Sequence, residues 1–439
     1  MNFQNLIEKS KKYNIEALEV YFQKSEGMSI KLFNNEIDQY QISNQQGIAV
    51  RGIYNGKMGY VGLEKVEEGL EDFILEKVVE NASLIEKTDV VKIYDGKDEY
   101  AVSTKQYSDF SNIEPSVKIE ILKELKDLAY AADPRVKSVS ASYQEKSVEV
   151  ELSNSYDLNL SNKYSYAVIS LNVVMEQNGE SKPHYDHKVL SSLDFDKKEF
   201  VTNAVNELAK SLNPGKVETG YYNVLIKNDI MQSFIGAFKS VFYGTSAKNK
   251  TTPLLNKVGE KIGNDLVNLV DAPLDERSHF VATFDDEGVK TYNKPVIEKG
   301  VFKTFLHNQE TAAYFNEKST GNGYKTGLFG KVTVATNNFA LEPGDKSFDE
   351  LVSIVDNGVY LTHIAGIHAG VNPITGAFSL QASGFMIENK QITKPITLFV
   401  VSGNFFDLLK NIEYIGNDFE YGLSQIGSAS VVVKLDIAS

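Results

Sequence analysis

The sequence predicts an α+β fold, with helices and an antiparallel sheet in the N-terminal half and a mostly antiparallel β domain in the C-terminal half. Three observations predict it. Apolar residues alternate with polar ones in many runs along the 439 residues, the period of half-buried strands. Helical spacing appears in separate stretches between those runs. Asn55-Gly56 and Asn178-Gly179 join strand-like runs across two residues that tolerate positive φ, the signature of tight antiparallel hairpins. Asn213-Pro214-Gly215 is the best break in the pattern. The expected domains are therefore 1–213 and 214–439.

The elements follow in order. Met1 to Lys9 reads as an amphipathic helix, without the basic head and apolar run of a signal peptide. Leu18, Val20 and Phe22 then alternate with polar neighbours. Met28 to Phe33, Ile37 to Ile42, Ile48 to Tyr54 and Met58 to Leu63 continue the alternation. Gly27, Asn34-Asn35, Gly47 and Asn55-Gly56 punctuate these runs, which predicts a meander of short strands over 17–63. Leu70, Phe73, Ile74, Val78, Ala82 and Ile85 fall on one helical face. A second helix over about 115–132 has Pro115 in its first turn and ends before Asp133-Pro134. Strands resume from Val136 to Met175, and a helix near 197–212 closes the first half. The second half opens with a strand, Tyr221 to Ile226. A helix then starts at Asp229, whose carboxylate suits the positive end of the helix dipole. Short strands follow, separated by turns at Asn293-Lys294-Pro295, Glu298-Lys299-Gly300 and Glu342-Pro343-Gly344. Short helices interrupt near 347–355 and 402–411.

Composition narrows the function. There is no cysteine, which removes disulfides, thiolate catalysis and every zinc site with a Cys ligand. The net charge of -14 repels phosphate backbones and anionic lipid, so neither nucleic acid nor a membrane surface is an expected partner. No run approaches the ~20 apolar residues a bilayer requires. A cytoplasmic protein is expected.

Few residues offer catalytic chemistry. His184 and His187 sit three apart in a predicted strand, so they face opposite sides and do not converge on a metal. His363 and His368 flank Gly366 without the neighbouring Glu that a zinc hydrolase uses as base. Gly321-Asn322-Gly323-Tyr324-Lys325-Thr326-Gly327 lacks the adjacent Gly-Lys-Thr of a phosphate loop and reads as a surface loop. Ser383 and Ser424 have no nucleophile-elbow spacing around them. Asp285-Asp286-Glu287 and Asp275-Glu276 have the chemistry of a general acid and base. Acidic turn residues are the plainer reading.

Several segments, in order and with closely kept spacing, resemble the TldD/PmbA metallopeptidase family, also labelled "modulator of DNA gyrase". They are Gly47 to Arg51, Thr252 to Ile262, Phe284-Asp285-Asp286-Glu287-Gly288-Val289 with Val296 to Phe302, Gly370 to Gly376, Ala382 to Asn389, Ser402-Gly403-Asn404 and Ile415 to Asp418. The family has two kinds of subunit. The TldD kind carries a His-Glu-x-x-x-His helix and a late Cys that together hold zinc. The matching helix here begins at Asp229, and its motif positions hold Gly236, Ala237 and Val241. Hydrogen, methyl and isopropyl groups bind no zinc and relay no proton. No His or Glu lies between Asp229 and Gly259.

The resemblance is therefore to the PmbA (TldE) branch. It implies no cofactor in this chain and zinc in a TldD-type partner. It also implies peptide substrates, with a homodimer as the other assembly. The Gly370, Asn372, Thr375 and Gly376 loop is the candidate chamber-facing or peptide-facing element, and a plain hairpin turn is its alternative. The family's "TGDYSRGASGF" reads here with Ala377 and Leu380 in place of its acidic and basic members. Two other functions compete: a stand-alone metallopeptidase with non-standard ligands such as His363 and His368, and a homodimeric scaffold or binding protein.

Overall fold

The expected meander forms, but from fewer and longer strands. In the computed structural model, which describes every residue except 35, 65 and 87–90, helix α1 (Phe3–Ser10) is capped by the Asn2 side chain, which accepts from the amide of Asn5. Strands β1 (Ala17–Phe33) and β2 (Glu36–Tyr54) form one long hairpin, and β3 (Lys57–Leu63) returns over the second half of β2. The turn expected at Asn34-Asn35 includes Asn35, outside the described residues. Helices α2 (Glu71–Ser83) and α3 (Pro115–Ala132) follow. Then come β4 (Val136–Asn154), β5 (Asn159–Gln177), β6 (Glu180–Leu190) and α4 (Lys197–Lys210). The six strands make one antiparallel sheet in the order β3-β2-β1-β4-β5-β6.

Gly27 and Gly47 do not break strands; they lie inside them. A Cβ at Gly27 would sit 2.8 Å from the carbonyl oxygen of Glu145 on β4, and one at Gly47 would sit 2.5 Å from that of Leu63 on β3. Glycine here permits close backbone approach within the sheet rather than a turn. The face assigned to α2 also needs correction. Ile74, Leu75, Val78 and Ala82 are buried, while Phe73 and Ile85 are exposed. Ile74, Leu75 and Val78 pack with Leu6, Ile7, Leu18, Val20, Ile48, Val50 and Val61 in one core cluster. Full burial of each large side chain is worth about 1.5–3 kcal/mol.

Strand β7 (Gly220–Ile226) leads into helix α5 (Asn228–Phe238). β7 runs antiparallel to residues 431–437 and parallel to residues 359–361, inside a sheet that continues through Gln391–Asn404 and Ala377–Glu388. A second sheet of short strands includes Leu269–Asp271, Lys294–Glu298, Phe339–Leu341 and Ile426–Ser428. The last predicted helix starts at Phe405, because residues 402–404 still belong to a strand. The α+β class and the mostly antiparallel C-terminal part are as expected.

Two compact units result. The first contains Met1–Ala209, Phe284–Lys290 and Asn308–Thr333. The second contains Lys210–Thr283, Thr291–His307 and Val334–Ser439. Among the described residues, no helix is long and apolar enough to cross a membrane.

Candidate functional site

Helix α5 and the turn that follows it carry the positions that the family resemblance singles out. The apolar face of α5 is fixed by aromatic contacts. Phe234 meets Phe378 edge-on at 5.0 Å, and Phe238 stacks on Phe405 at 4.6 Å. Its other face is half-buried and carries Gln232, Ser233, Gly236 and Ala237. Gln232 Nε2 donates to the carbonyl of Glu420, and a Cβ at Gly236 would lie 2.9 Å from Ile426 Cδ1. After Phe238 the chain tightens into a 3₁₀ turn, Lys239–Phe242. That turn carries Val241 into the core, where it is 1% exposed. Gly236 and Ala237 thus border a half-open stripe while Val241 does not. Neither the side chains nor their placement suits a zinc ion, which needs three protein donors and an open position.

Just past this helix lies polar chemistry that sequence reading missed. Asp271, fully buried, accepts from Lys294 Nζ at 2.8 Å and from the amide of Asn337 at 2.8 Å. Lys294 sits over the Tyr292 ring, 4.7 Å from its centre. Burial pushes the nearby Lys239 ammonium below its ordinary range, against the pull of Asp271. In the sequence pattern Lys294 is only part of a turn before Pro295.

Asp285, Asp286 and Glu287 do form a turn, but it is not a solvated one. The segment belongs to the first unit, where it covers a row of polar side chains crossing the sheet. Glu19, Arg51 and Tyr60 are cross-strand neighbours on β1, β2 and β3. Arg51 binds Glu19 in a fork, Nε to Oε1 at 2.6 Å and Nη2 to Oε2 at 3.0 Å, and reaches Glu287 at 3.1 Å. Glu287 also accepts from the amide of Gln309. Asp285 accepts from the amides of Glu287, Val289 and Gly323. Asp286 accepts from the Tyr21 hydroxyl and the Lys325 amide. Lys325 Nζ donates to Tyr60 at 2.6 Å and lies over the Tyr21 and Tyr60 rings.

Burial raises all three carboxyls above their ordinary range; for Asp285 the neighbouring Glu287 adds to this, and for Glu287 the Arg51 guanidinium opposes it. Burial, aided by Arg51, pushes Lys325 down to about 8. These are strongly perturbed groups, and such groups mark functional sites or structural ion networks. Here the carboxylates spend their acceptors on backbone amides and on Arg51. Asp285 is 0% exposed and Glu287 3%. The arrangement ties chain segments together and turns Asp285 and Glu287 away from solvent, while Asp286 and Lys325 are half-buried.

The same network corrects the reading of residues 321–327 as a surface loop. Gly321, Asn322 and Gly323 are buried. Gly323 donates to Asp285, and a Cβ there would come 2.5 Å from Glu287 Oε2. The clue available in the sequence was a charge within an apolar alternation: Glu19 between Leu18 and Val20, and Arg51 between Val50 and Ile53.

The remaining candidates stay apart. His184 and His187 lie on β6, with Tyr185 stacked on His187. His363 is exposed on a strand, and His368 lies beyond Gly366 in a four-residue helix. Ser383 pairs across from His363 in the sheet, and Ser424 lies in a turn. Asp275 is held by Arg277 and the Tyr421 hydroxyl. In the 370–376 loop, Asn372 Oδ1 accepts from the amides of Ile374 and Thr375. The amide of Gly376 donates back to the Asn372 carbonyl, and Asn404 Nδ2 donates to the Thr375 carbonyl. Gly376 has φ of 80°, a conformation that favours glycine. Gly370 admits no side chain, because a Cβ would lie 2.2 Å from the Ser379 carbonyl oxygen. Leu380, where the family pattern has a basic residue, is 1% exposed. Among the described residues, no group of three or more His, Asp or Glu is placed to hold a metal ion.

Comparison with known proteins agrees over nearly the whole chain. Residues 18–85 match PmbA/TldA metallopeptidase domain 1, residues 108–212 the central domain, and residues 219–439 the C-terminal domain. A metalloprotease of Methanocaldococcus jannaschii is 26% identical, over 92% of this chain and 90% of its own length. A protein of Thermotoga maritima described as a modulator of a DNA gyrase superposes with a TM-score of 0.91 at 28% identity, covering 99% of both chains. TldE of Thermococcus kodakarensis shares the fold, with a TM-score of 0.92 at 22% identity over 100% of both chains. This chain belongs to the PmbA/TldD metallopeptidase family.

Proposed function

We propose that this chain is the zinc-free partner subunit of a TldD/TldE-type metallopeptidase complex acting on unfolded or short peptides. One observation carries the reading: the positions in α5 and the turn after it that would supply two ligands and a base hold Gly236, Ala237 and Val241, and the chain has no cysteine to act as a further ligand. A hydrolytic zinc needs nitrogen, sulfur or oxygen donors, and these residues offer none. The hydrolytic step then belongs to a zinc-bearing TldD-type homologue, and this chain contributes a wall and backbone edges to a peptide-binding chamber. Extended peptides dock on strand edges through main-chain hydrogen bonds, which tolerate many sequences. The 370–376 loop, braced by Asn372 and Asn404, is the element assigned to that wall. Ala377, exposed where the family pattern has an acidic residue, implies a peptide preference or pairing surface different from that of relatives carrying the charge.

Co-expression with a zinc-bearing homologue tests this. The expected result is a heteromer that cleaves an unstructured peptide, with activity lost when the homologue's motif His is replaced. Failure to form a heteromer at micromolar concentration, or cleavage that persists after that replacement, overturns the reading.

A further inference from the structure

The chain has four Asn-Gly pairs: Asn55-Gly56, Asn178-Gly179, Asn322-Gly323 and Asn357-Gly358. An Asn followed by Gly can lose its side-chain amide without an enzyme. The glycine nitrogen, unhindered by a Cβ, attacks the Asn Cγ. A cyclic imide forms as the bond from Cγ to the side-chain nitrogen breaks, and the amide proton leaves with the ammonia. Water then opens the imide at either carbonyl, giving aspartate or isoaspartate. The step needs a glycine nitrogen free to swing toward Cγ, an Asn side chain free to meet it, and water.

The fold grants these conditions unequally. Asn322 and Gly323 are buried, and the Gly323 amide donates to Asp285 Oδ2 at 2.7 Å. Asn357 is exposed, but Gly358 is buried at the start of the strand over residues 358–365. Asn357 Oδ1 accepts from the Asn389 amide, and its Nδ2 donates to Asp356. The other two pairs match closely. Asn55-Gly56 joins β2 to β3, and Asn178-Gly179 joins β5 to β6, each as a two-residue hairpin turn. All four residues are exposed, with φ of 49° and 68° in the first turn and 56° and 82° in the second. A Cβ at either glycine would meet nothing within 4 Å. One contact separates the turns. The Gly56 amide donates to Glu16 Oε1 at 3.0 Å, whereas among the described residues nothing accepts from the Gly179 amide. A carboxylate that holds the N–H restrains the nucleophile, and its charge opposes the amide anion that attacks.

We propose that Asn178 is a self-modification site of this chain, converting to aspartate and isoaspartate through an imide with Gly179, while Glu16 protects Asn55. The conversion adds a negative charge to a turn already flanked by Glu176 and Glu180. Isoaspartate also lengthens the backbone of a turn whose two residues fit the twist of the flanking strands. The β5–β6 end therefore loosens as the modification proceeds. The site is independent of the peptidase reading.

The test follows the full chain in mildly alkaline buffer. Samples are digested under mildly acidic conditions, and each site is read by mass spectrometry. Isoaspartate is read by methyl transfer from S-adenosylmethionine with an isoaspartate-specific methyltransferase. Conversion at Asn178 should be at least about tenfold faster than at Asn55, the effect of one hydrogen bond to a charged group. Asn322 and Asn357 should be slower than Asn178 as well. Glu16→Ala, an exposed change, should bring the Asn55 rate close to that of Asn178 and leave Asn178 unaltered. An unchanged melting temperature confirms that this variant folds. In concentrated urea, where the fold no longer ranks the sites, all four should convert at similar rates. An intact Asn178 in the folded chain, Asn55 converting as fast as Asn178, an Asn55 rate indifferent to Glu16→Ala, or the same ranking in urea overturns the proposal.

Discussion

The α5 stripe and the Arg51 network are opposites. The stripe is partly open to solvent but carries Gly236 and Ala237, with Val241 turned into the core. The network is rich in carboxylates, a guanidinium and an ammonium, yet Glu19, Arg51, Asp285 and Glu287 are all buried. Catalysis needs reactive groups that a substrate can reach, and each region supplies only half of that. The contrast separates two roles: buried charges tie segments of the fold together, while Gly236 and Ala237 leave the motif positions in the half-open stripe of α5 without donor side chains.

The contrast breaks most sharply at Arg51. Replacing it with Met should destabilise the protein by about 3–5 kcal/mol, because Glu19 and Glu287 would remain buried without their cation. Urea denaturation reads this as a lower midpoint. If Arg51→Met costs less than about 1 kcal/mol, the network is not holding the segments together. Lys325 gives the next effect. Its folded pKa is about 8 against an ordinary 10.5. Between those values the unfolded lysine holds a proton that the folded one has released, so stability should rise with pH, by on the order of 2 kcal/mol. Thermal unfolding from pH 8 to 10 should show the rise in the parent chain and not in Lys325→Met. The buried carboxyls, raised in the folded state, slope the other way: as pH falls from neutral through their folded pKa values, the protein should gain stability from them.

Gly323→Ala comes third. Its methyl would press on Glu287 at 2.5 Å, and overpacking of this kind costs about 1–3 kcal/mol. The smallest effect belongs to the stripe. Ser233 Oγ donates only to the Asp229 carbonyl of its own helix. Ser233→Ala should therefore change stability by no more than about 0.5 kcal/mol and leave heteromer activity unaltered. A large loss of activity at constant stability would show that the stripe touches substrate.

Much of this was legible in the sequence. Periodicity located the longer helices and the antiparallel character of residues 17–63, because burial on one face imposes spacing that survives in a single chain. It divided the two long strands of the hairpin into several short ones and gave no sign of the helix Gln309–Phe315. The Gly27 and Gly47 positions misled, since a glycine that admits a neighbouring strand looks the same as one that turns the chain. The network was hidden for a different reason. Asp285 to Glu287, Lys325 and Arg51 are far apart in sequence, and only folding brings the turn against the sheet. A charge inside an apolar run, as at Glu19 and Arg51, was its one local trace. The 3₁₀ turn that buries Val241 left no sequence signal, since Lys239 to Phe242 fits helical spacing equally well.

The most direct test is the metal content of the purified chain, expressed alone and dialysed against zinc, alongside its cleavage of an unstructured peptide. The account predicts zinc well below one per chain and no cleavage until a zinc-bearing homologue is added. One tightly held zinc per chain, with peptide cleavage that a chelator abolishes, would contradict it.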